Sequence, residues 1–400
     1  MENNSDLLKE IKRRAEGISP SIKGWREHLH AHPELSFQEH ATSLYIQKIL
    51  KEKGIEFTAG IVNTGIVGEI KGNNPSRKVV LLRADMDALP IHEKNEVSYK
   101  SKHEGVMHAC GHDVHSSCLL GALSILSETR NHWSGTIKFI FQPGEEVLPG
   151  GASLMIKENI LDNPKVNVGF AQHVFPSMEV GKVGFKSGMY MASTDEIYLT
   201  VIGKGGHAAM PKEYINPLLI AAEILTKLEE TFMKHPENEV PTVLAFGKIE
   251  GAGATNVIPD EVKICGTFRT MNEEWRVLAH EKIKILIEEI CKRNNAKAIL
   301  KIEKGYPYLV NDINLTEFSK KMAEIYLGKE NVEELPLRMT AEDFAYISQV
   351  IPSCFYRLGT GNKNKGIVSG VHTPTFDIDE KALEIGSGLM AWLSVCELTR

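Results

Sequence analysis

Three short apolar runs, separated by helical patterns, constrain the fold of this 400-residue chain more than any other feature. None of the runs shows a clean alternation of polar and apolar residues, which is typical of strands covered on both faces. The runs lie at 79–82, 136–141 and 166–171, with a helical pattern at 114–129 between the first two. The sequence therefore predicts an α/β fold with an open, mostly parallel sheet and helices on both faces.

Capping signals predict the first helix of the chain. Ser19 stands before Pro20, and a capping residue followed by proline at the first helical position favours the start of a helix at this pair. Pro33 cannot continue a helix, so we expect the helix to end near residue 31.

A different pattern between residues 193 and 305 predicts a second, smaller domain. Alternation typical of half-buried strands and spacing typical of amphipathic helices follow one another in the order βαββαβ, as in a ferredoxin-like layer. These patterns lie at 197–201, 216–228, 243–249, 262–268, 283–290 and 298–302. A chain of this length also exceeds the size at which one core usually keeps growing. We expect a catalytic α/β domain in two parts, 1–192 and 306–400, around an inserted domain at 193–305.

Composition and charge exclude several classes of function. The chain is 42% hydrophobic and 24% charged, as soluble globular proteins are, and its net charge of −6 offers no electrostatic basis for binding nucleic acid. There is no run of about 18 apolar residues, and residues 1–16 lack the apolar core of a signal peptide. The six cysteines follow no framework spacing, so we expect reduced thiols, no membrane partner and a cytoplasmic location.

Polar residues follow each of the three apolar runs directly. Asp85 and Asp87 come after the first run, Glu145 and Glu146 after the second, and His173 after the third. Because ligands of open α/β sheets bind beyond the carboxyl ends of the strands, we expect these side chains to meet at one edge of the sheet. The sequence thus predicts a single site there.

Two segments offer ligands for metal ions. Residues 108–113 read His-Ala-Cys-Gly-His-Asp, and residues 142–146 read Gln-Pro-Gly-Glu-Glu. Zinc binds thiolate, imidazole and carboxylate, whereas manganese prefers oxygen and nitrogen. With two later histidines, the chain offers one sulfur, three imidazoles and one carboxylate, which is too many for a catalytic zinc with three protein ligands and fits two ions that share a bridge. The predicted metal ligands are Cys110, His112, Glu146, His173 and His372.

Glu145 is left over beside the predicted ligand Glu146. A carboxylate in this position can stand next to a metal-activated water and take its proton, so we predict that Glu145 is the general base. Two other interpretations stay open on the residues alone. Cys110 could be the nucleophile of a cysteine hydrolase with His112 as its base, or the cluster could belong to a metal-binding protein without catalysis.

Further motifs extend over nearly the whole chain. In chain order the set is His32-Pro33-Glu34-Leu35-Ser36, Arg83-Ala84-Asp85-Met86-Asp87-Ala88-Leu89-Pro90, 107–113, 142–146, Gly205-Gly206-His207, Ala341-Glu342-Asp343-Phe344 and Val371-His372-Thr373-Pro374. With these motifs the chain resembles the metal-dependent amidohydrolase family of aminoacylases, hippurate hydrolases and N-acyl-diaminopimelate deacetylases. That family is related to carboxypeptidases that use two metal ions.

The resemblance implies hydrolysis of an N-acyl amino acid, a small-molecule substrate, to a carboxylate and a free amino acid. It implies two divalent ions per subunit, zinc or manganese in the first place and nickel or cobalt as other possibilities, with the five ligands named above and Glu145 as the proton shuttle. Asp87 is implied to orient a metal-binding or catalytic group. The wider superfamily has His-x-Asp where this chain has Asp85-x-Asp87, so metal contact by Asp85 stays open. A dipeptidase or exopeptidase activity of the same centre is the alternative.

The resemblance also gives roles to the inserted domain, as a lid and dimerisation domain. His207 is implied to stabilise the oxyanion by reaching the site of another subunit, which requires a dimer, so the expected assembly is a homodimer or a dimer-based oligomer. Asn256 and Arg269 are implied to hold the substrate, and Arg269 could clamp an amino-acid carboxylate with its two-pronged guanidinium.

Overall fold

The structure is a computed structural model that describes residues 2–232 and 240–400. It divides into two compact units. The first comprises Met1–Gly188, Val310–Pro336 and Asp343–Arg400, and the second comprises Met189–Leu309 and Leu337–Glu342. The insertion expected at 193–305 begins and ends four residues inside the longer segment of the second unit. The segment 337–342 forms no helix or strand and contains only an isolated bridge from Arg338 to Met191. Its sequence therefore has no periodic pattern that could have assigned it to the second unit.

Sixteen strands and nine α-helices lie within the described residues. The strands are β1 (Phe57–Ile61), β2 (Gly65–Lys71), β3 (Val79–Asp85), β4 (Thr136–Gln142), β5 (Val168–Glu179), β6 (Val183–Phe185), β7 (Gly188–Met191), β8 (Asp195–Ile202), β9 (Gly206–His207), β10 (Thr242–Glu250), β11 (Val257–Ile258), β12 (Glu261–Thr270), β13 (Lys297–Lys304), β14 (Leu309–Asn311), β15 (Val332–Glu334) and β16 (Ser353–Gly361). The helices are α1 (Glu2–Ala31), α2 (His40–Glu52), α3 (His112–Glu128), α4 (Gly151–Lys157), α5 (Pro217–Phe232), α6 (Glu273–Arg293), α7 (Ile313–Leu327), α8 (Ala345–Ser348) and α9 (Lys381–Thr399). Among the described residues, none of these helices has the length and apolar character needed to cross a bilayer.

The first unit contains an eight-stranded sheet with the order β1-β2-β4-β3-β5-β16-β6-β15. Its four central strands, β4, β3, β5 and β16, run parallel to one another. Every residue of β3, β4 and β16 is buried, which explains why their sequences do not alternate. Helices α3 and α9 pack on β3 and β5, and α4 and α8 contact β4 and β16. The predicted α/β fold with a mostly parallel sheet is confirmed.

Helix α1 is longer than its capping signals indicate. It begins at Glu2 rather than at Ser19, and Pro20 lies inside it. Leu7, Ile11, Ala15 and Ile22 are all buried, and their spacing places them on one side of a continuous helix. Burial of this apolar stripe outweighs the backbone hydrogen bond that proline cannot donate. The prediction of a helix start at Ser19 was therefore wrong, whereas its end at Ala31 agrees with the sequence.

The second unit contains a four-stranded sheet with the order β10-β12-β8-β13, in which all neighbours are antiparallel. Helices α5 and α6 cover it, and their apolar side chains share one core with β8, β10 and β12. Asn216 caps α5, since its Oδ1 accepts a hydrogen bond from the backbone N–H of Leu218 at 3.0 Å. The chain order β8-α5-β10-β12-α6-β13 is the predicted ferredoxin-like βαββαβ arrangement.

A buried ion pair joins α6 to β8 within this unit. Arg276 is fully buried, and its guanidinium donates hydrogen bonds to both carboxylate oxygens of Asp195 and to the carbonyl oxygens of Thr194 and Gly305. His280 Nε2 lies 2.8 Å from Asp195 Oδ2. Burial raises the pKa of Asp195, but the hydrogen bonds from His280 and Arg276 outweigh it and hold this pKa below its usual range.

Replacing this carboxylate, Asp195→Asn, is expected to destabilise the protein by about 3 kcal/mol at pH 7, because the buried Arg276 then keeps only the partly exposed carboxylate of Glu273 as a counter-charge. Asp195 binds its proton at a lower pH in the folded protein than in the unfolded chain. The wild type therefore keeps this stabilisation above about pH 4 and loses it as the pH falls through the folded pKa. Urea unfolding at stepwise lower pH should show the difference between wild type and variant narrowing below about pH 4. A difference that does not change with pH would contradict this assignment.

Candidate metal centre

The loop before α3, the ends of the parallel strands β3 and β4 and the middle of β5 carry the polar residues of the site. Asp85 ends β3, Gln142 ends β4 directly before the Pro-Gly-Glu-Glu turn, and His173 lies within β5. Gly111 caps the start of α3 with a φ of 85°, a conformation that favours glycine. A Cβ at Gly111 would come within 2.6 Å of Val174 Cγ2, so glycine is also required by the close approach of β5.

All five predicted metal ligands meet in the first unit. Their donor atoms form two groups, in each of which the atoms lie within 4.8 Å of one another: Cys110, His112 and His173, and Cys110, Glu146 and His372. His173 Nε2 lies 3.5 Å and His372 Nε2 3.3 Å from Cys110 Sγ. Glu146 Oε1 lies 3.3 Å from His372 Nε2. Cys110 belongs to both groups, as a ligand shared by two ions does.

Two polar atoms of this cluster are buried without a hydrogen-bond partner: His112 Nε2 and Glu146 Oε1. Each unsatisfied buried group costs on the order of 1–3 kcal/mol, and coordination to a cation would satisfy both. His173 Nδ1 donates to the carbonyl oxygen of Val174 at 2.8 Å, which leaves Nε2, the atom facing Cys110, as the lone-pair donor. The donor set of thiol, imidazoles and carboxylate therefore fits divalent metal ions.

An excess of carboxylates makes the cluster electrostatically negative. Burial lowers the pKa of the His112 imidazole, but the carboxylates of Asp85 and Asp87 outweigh burial and raise this pKa to about 10. Burial raises the pKa of the Cys110 thiol far above its usual range, and the carboxylate of Glu146 raises it further. The contributions of the carboxylates to both shifts have the sign expected where the protein favours a bound positive charge, and a cation on the sulfur would stabilise the thiolate.

Asp87 connects the segments that carry two of the predicted ligands. Its Oδ1 lies 3.1 Å from His112 Nδ1, and its Oδ2 accepts hydrogen bonds from the backbone N–H of Glu146 at 2.9 Å and from Ser36 Oγ at 2.7 Å. A carboxylate on Nδ1 fixes the proton there and leaves Nε2 of the same ring to bind metal. This geometry agrees with the orienting role expected for Asp87.

The carboxylate of Asp85 accepts hydrogen bonds from two side chains of the protein. Its Oδ1 lies 2.6 Å from His115 Nδ1, and its Oδ2 accepts a hydrogen bond from Arg83. His115 Nε2 in turn accepts the backbone N–H of Val174 at 2.9 Å, so its proton resides on Nδ1 and is donated to Asp85. The pair therefore anchors the residue that follows His173 on β5.

Glu145 is 7% exposed, and its Oε1 accepts the backbone N–H of Asp343 at 3.3 Å. The carboxylate of Asp343 itself accepts hydrogen bonds from Arg83, Gln142 and the backbone of Ala152. This buried network fixes the turn that presents Glu145. Sequence analysis assigns no role to Asp343, although it lies in one of the quoted motifs.

Glu39 is a second residue that sequence reasoning missed. Its Oε1 accepts the backbone N–H groups of Gly144 and Phe37, both at 2.8 Å, and its Oε2 accepts Thr64 Oγ1 at 2.8 Å. Glu39 thereby holds the Pro-Gly turn that precedes Glu145. A lone glutamate near the start of α2 carries no signal in a single sequence that would separate it from a solvated surface residue.

The backbone of His372 adopts a φ of 60°, which residues with a side chain rarely do. Such a conformation costs roughly 1–3 kcal/mol and persists where the surrounding structure enforces it. The N–H of His372 donates to the carbonyl oxygen of Ala109 at 2.7 Å, next to Cys110. This strained residue therefore approaches the cluster through a hydrogen bond to the segment that supplies the thiol.

The three remaining predicted site residues lie in the second unit. His207 is exposed and sits in the short strand β9, opposite Val257 of β11, rather than in a loop. The carbonyl oxygen of Asn256 accepts the backbone N–H that follows His207 at 3.0 Å, so these two residues are neighbours. Arg269 lies on β12, donates to the carbonyl oxygen of Met339 at 3.0 Å, and has its pKa lowered by burial.

Comparison with known proteins identifies the family. The sequence model of Peptidase family M20/M25/M40 matches residues 81–393. The chain belongs to this family. N-acetyl-L-cysteine deacetylase of Bacillus subtilis (strain 168) is 38% identical over 366 residues, which cover 92% of this chain and 85% of that protein. Thermostable carboxypeptidase 2 of Saccharolobus solfataricus is 35% identical over 393 residues, which cover 98% of each chain.

A solved structure agrees with this assignment. The Bacillus subtilis YXEP protein, described as a dinuclear metal binding peptidase from the M20 family, superposes with a TM-score of 0.82 at 32% sequence identity. The match covers 96% of this chain and 99% of that one. The chain is therefore a hydrolase of the M20 family, and the resemblance to the amidohydrolase family is confirmed.

Proposed function

We propose that this M20 enzyme hydrolyses the amide bond of an N-acyl amino acid and releases a carboxylate and a free amino acid. The observation that carries the proposal is the position of Glu145. Its carboxylate lies within 4.8 Å of the donor atoms of His112 and Glu146, and it follows a tightly anchored turn. A base in this place can reach a water that attacks an amide carbon. The proposed ligands of two divalent ions are Cys110, His112, Glu146, His173 and His372.

The residues of the chain have separate tasks in this reaction. Two divalent ions, when bound, would supply a water whose pKa is about 7 and a Lewis acid for the amide carbonyl. Glu145 accepts a proton from the attacking water and then donates it to the leaving nitrogen, so that one carboxylate acts first as base and then as acid. The N–H of Asp343 orients Glu145, and Asp87 holds the proton of His112 on Nδ1.

Residues of the inserted unit complete the proposal. We propose that His207 stabilises the oxyanion in the site of a second subunit, that Asn256 and Arg269 hold the substrate, and that the enzyme is a homodimer. The role of His207 is supported by the resemblance of its Gly-Gly-His motif to that of the amidohydrolase family. It is also supported by the exposure of His207 and by the pairing of its strand with the segment of Asn256. We propose zinc or manganese as the metal, because the donor set includes sulfur, nitrogen and oxygen.

An exopeptidase activity is the second candidate. It is favoured by the 35% identity to a protein named as a carboxypeptidase over 98% of both chains. Peptide bonds and N-acyl amide bonds are the same functional group, so the centre described above can cleave either. The two activities differ in the substrate groups that flank the scissile amide bond, so the residues that bind those groups, rather than the cluster, determine which activity the enzyme has.

A substrate panel on the metal-loaded enzyme tests this choice. We expect release of the free amino acid from at least one of N-acetyl, N-benzoyl or long-chain acyl amino acids, with a kcat/KM at least about tenfold above that for dipeptides and C-terminally extended peptides. Amino-acid release is followed by reaction with an amine reagent, and heat-inactivated enzyme serves as control. Cleavage of peptides alone would replace the N-acyl proposal by the exopeptidase candidate.

A further inference from the structure

A buried polar network in the first unit joins the two segments that carry His112 and His372. Arg26 of α1 is only 1% exposed. Its Nε donates to Asp113 Oδ2 at 2.8 Å, and its Nη2 donates to Asp377 Oδ1 at 2.8 Å. Asp113 directly follows His112, and Asp377 lies five residues after His372. One guanidinium therefore holds together two chain segments that are distant in sequence.

Other members of the network bind the same two segments. His30, one turn after Arg26, has its Nδ1 2.8 Å from Asp113 Oδ2 and its Nε2 3.2 Å from Glu93 Oε1. Asn95 donates to Glu93 Oε1 at 3.1 Å and to the carbonyl oxygen of Phe376 at 2.9 Å. The segment after His372 is thus held at residue 377 by Arg26, which also holds Asp113, and at residue 376 by Asn95, which is linked to Asp113 through Glu93 and His30.

This arrangement matters because the backbone of His372 is strained. A positive φ at a residue with a side chain persists only where neighbouring bonds enforce it. The N–H of His372 is bonded to Ala109, before His112 in the chain, and Asp377 is bonded through Arg26 to Asp113, after His112. The segment of His112 is therefore bonded to the segment of His372 on both sides of His112, at residues 109 and 113. The second tie is made of charge-assisted hydrogen bonds, which have narrow geometry.

We infer that Arg26 is a positioning residue of the metal centre, which sets the separation of the His112 and His372 imidazoles and through it the affinity for the metal ions. The inference rests on the ligand assignment in the proposed function. It adds a residue of the N-terminal helix whose hydrogen bonds go to Asp113, Asp377 and His30 and not to the proposed ligands themselves. Lysine cannot replace it, because an ammonium lacks the planar fork that reaches two carboxylates in fixed directions.

Cobalt binding to metal-free enzyme tests this inference without any substrate. We expect Arg26→Lys and Asp377→Asn each to weaken Co²⁺ binding about 10-fold or more, the size of effect seen when outer partners of metal ligands are lost. We also expect each variant to shift the visible absorption bands of the Co²⁺-loaded protein, which report the ligand geometry. The matched control is Asp195→Asn, which breaks the buried Arg276 pair of the second unit and should lower stability while leaving Co²⁺ affinity and bands as in the wild type.

The outcomes separate this inference from the metal-centre proposal. The side chain of Asp377 is 19% exposed, so we expect Asp377→Asn to fold even if Arg26→Lys does not. Wild-type Co²⁺ affinity and absorption bands in Asp377→Asn would overturn the inference and leave the metal centre standing. A wild-type protein that binds no Co²⁺ would overturn the metal centre, and the inference with it.

Discussion

Replacing Glu145 with glutamine is expected to lower kcat by at least ~10²–10⁴ while the metal content stays that of the wild type. Glutamine has nearly the same shape and can still accept the backbone N–H of Asp343, so the turn should keep its conformation. It cannot take a proton from water or return one to the leaving nitrogen. Steady-state hydrolysis and metal analysis by atomic emission, on the same preparation, measure the two quantities.

The control for this variant is Glu158→Gln, an exposed glutamate of the same unit, which should leave kcat unchanged. A Glu145→Gln enzyme with wild-type activity would remove Glu145 from the reaction. A Glu145→Gln protein that also loses its metal would show that Glu145 is a ligand rather than the base. The second result would move the proton transfer to another carboxylate of the cluster.

Replacing Cys110 with serine is expected to reduce metal content and to lower activity by roughly 10²–10³. Cys110 belongs to both donor groups, and the loss of a metal ion removes several kcal/mol of transition-state stabilisation. The matched control is Cys265→Ser, a free and half-buried cysteine of the second unit, which should retain metal and activity. Metal analysis and kinetics are measured at limiting and at saturating Zn²⁺ or Mn²⁺.

The Cys110→Ser variant also tests whether the protein is a cysteine hydrolase with Cys110 as its nucleophile. A nucleophilic cysteine needs a lowered pKa, whereas burial and carboxylates raise the pKa of Cys110. The imidazoles that contact its sulfur are those of His173 and His372, while His112 Nδ1 is engaged by Asp87. An inactive Cys110→Ser protein with full metal content, and covalent acyl transfer to Cys110 in the wild type, would favour the nucleophile instead.

The sequence predicts those parts of the fold that depend on local pattern. The apolar runs of β3, β4 and β5 lie where expected, because strands covered on both faces carry apolar residues at nearly every position. The approach of Asp87 to the backbone N–H of Glu146 is expected, because the two residues follow parallel strands whose carboxyl ends lie at one edge of the sheet. The alternation of β8 and β12 likewise predicts a sheet with a half-exposed face.

Features that depend on distant partners could not be predicted. The first turns of α1 form because their apolar stripe packs on α3 and α9, which no capping residue indicates. The segment 337–342 joins the second unit without any helix or strand. Glu39 and Asp343 anchor the turn of Glu145 through backbone N–H groups, and such bonds leave no pattern in a single sequence. The positive φ of His372 could not be predicted for the same reason, because it also depends on distant partners.

Metal dependence of amide hydrolysis is the most direct test of the central claim, which is that Cys110, His112, Glu146, His173 and His372 hold metal ions beside Glu145. The measurement is hydrolysis of the best N-acyl substrate by metal-stripped protein, before and after addition of Mn²⁺ or Zn²⁺. We expect stripping to abolish activity and the ions to restore it, with two ions bound per chain at full activity. Hydrolysis that is indifferent to stripping and to added metal would contradict the proposed centre.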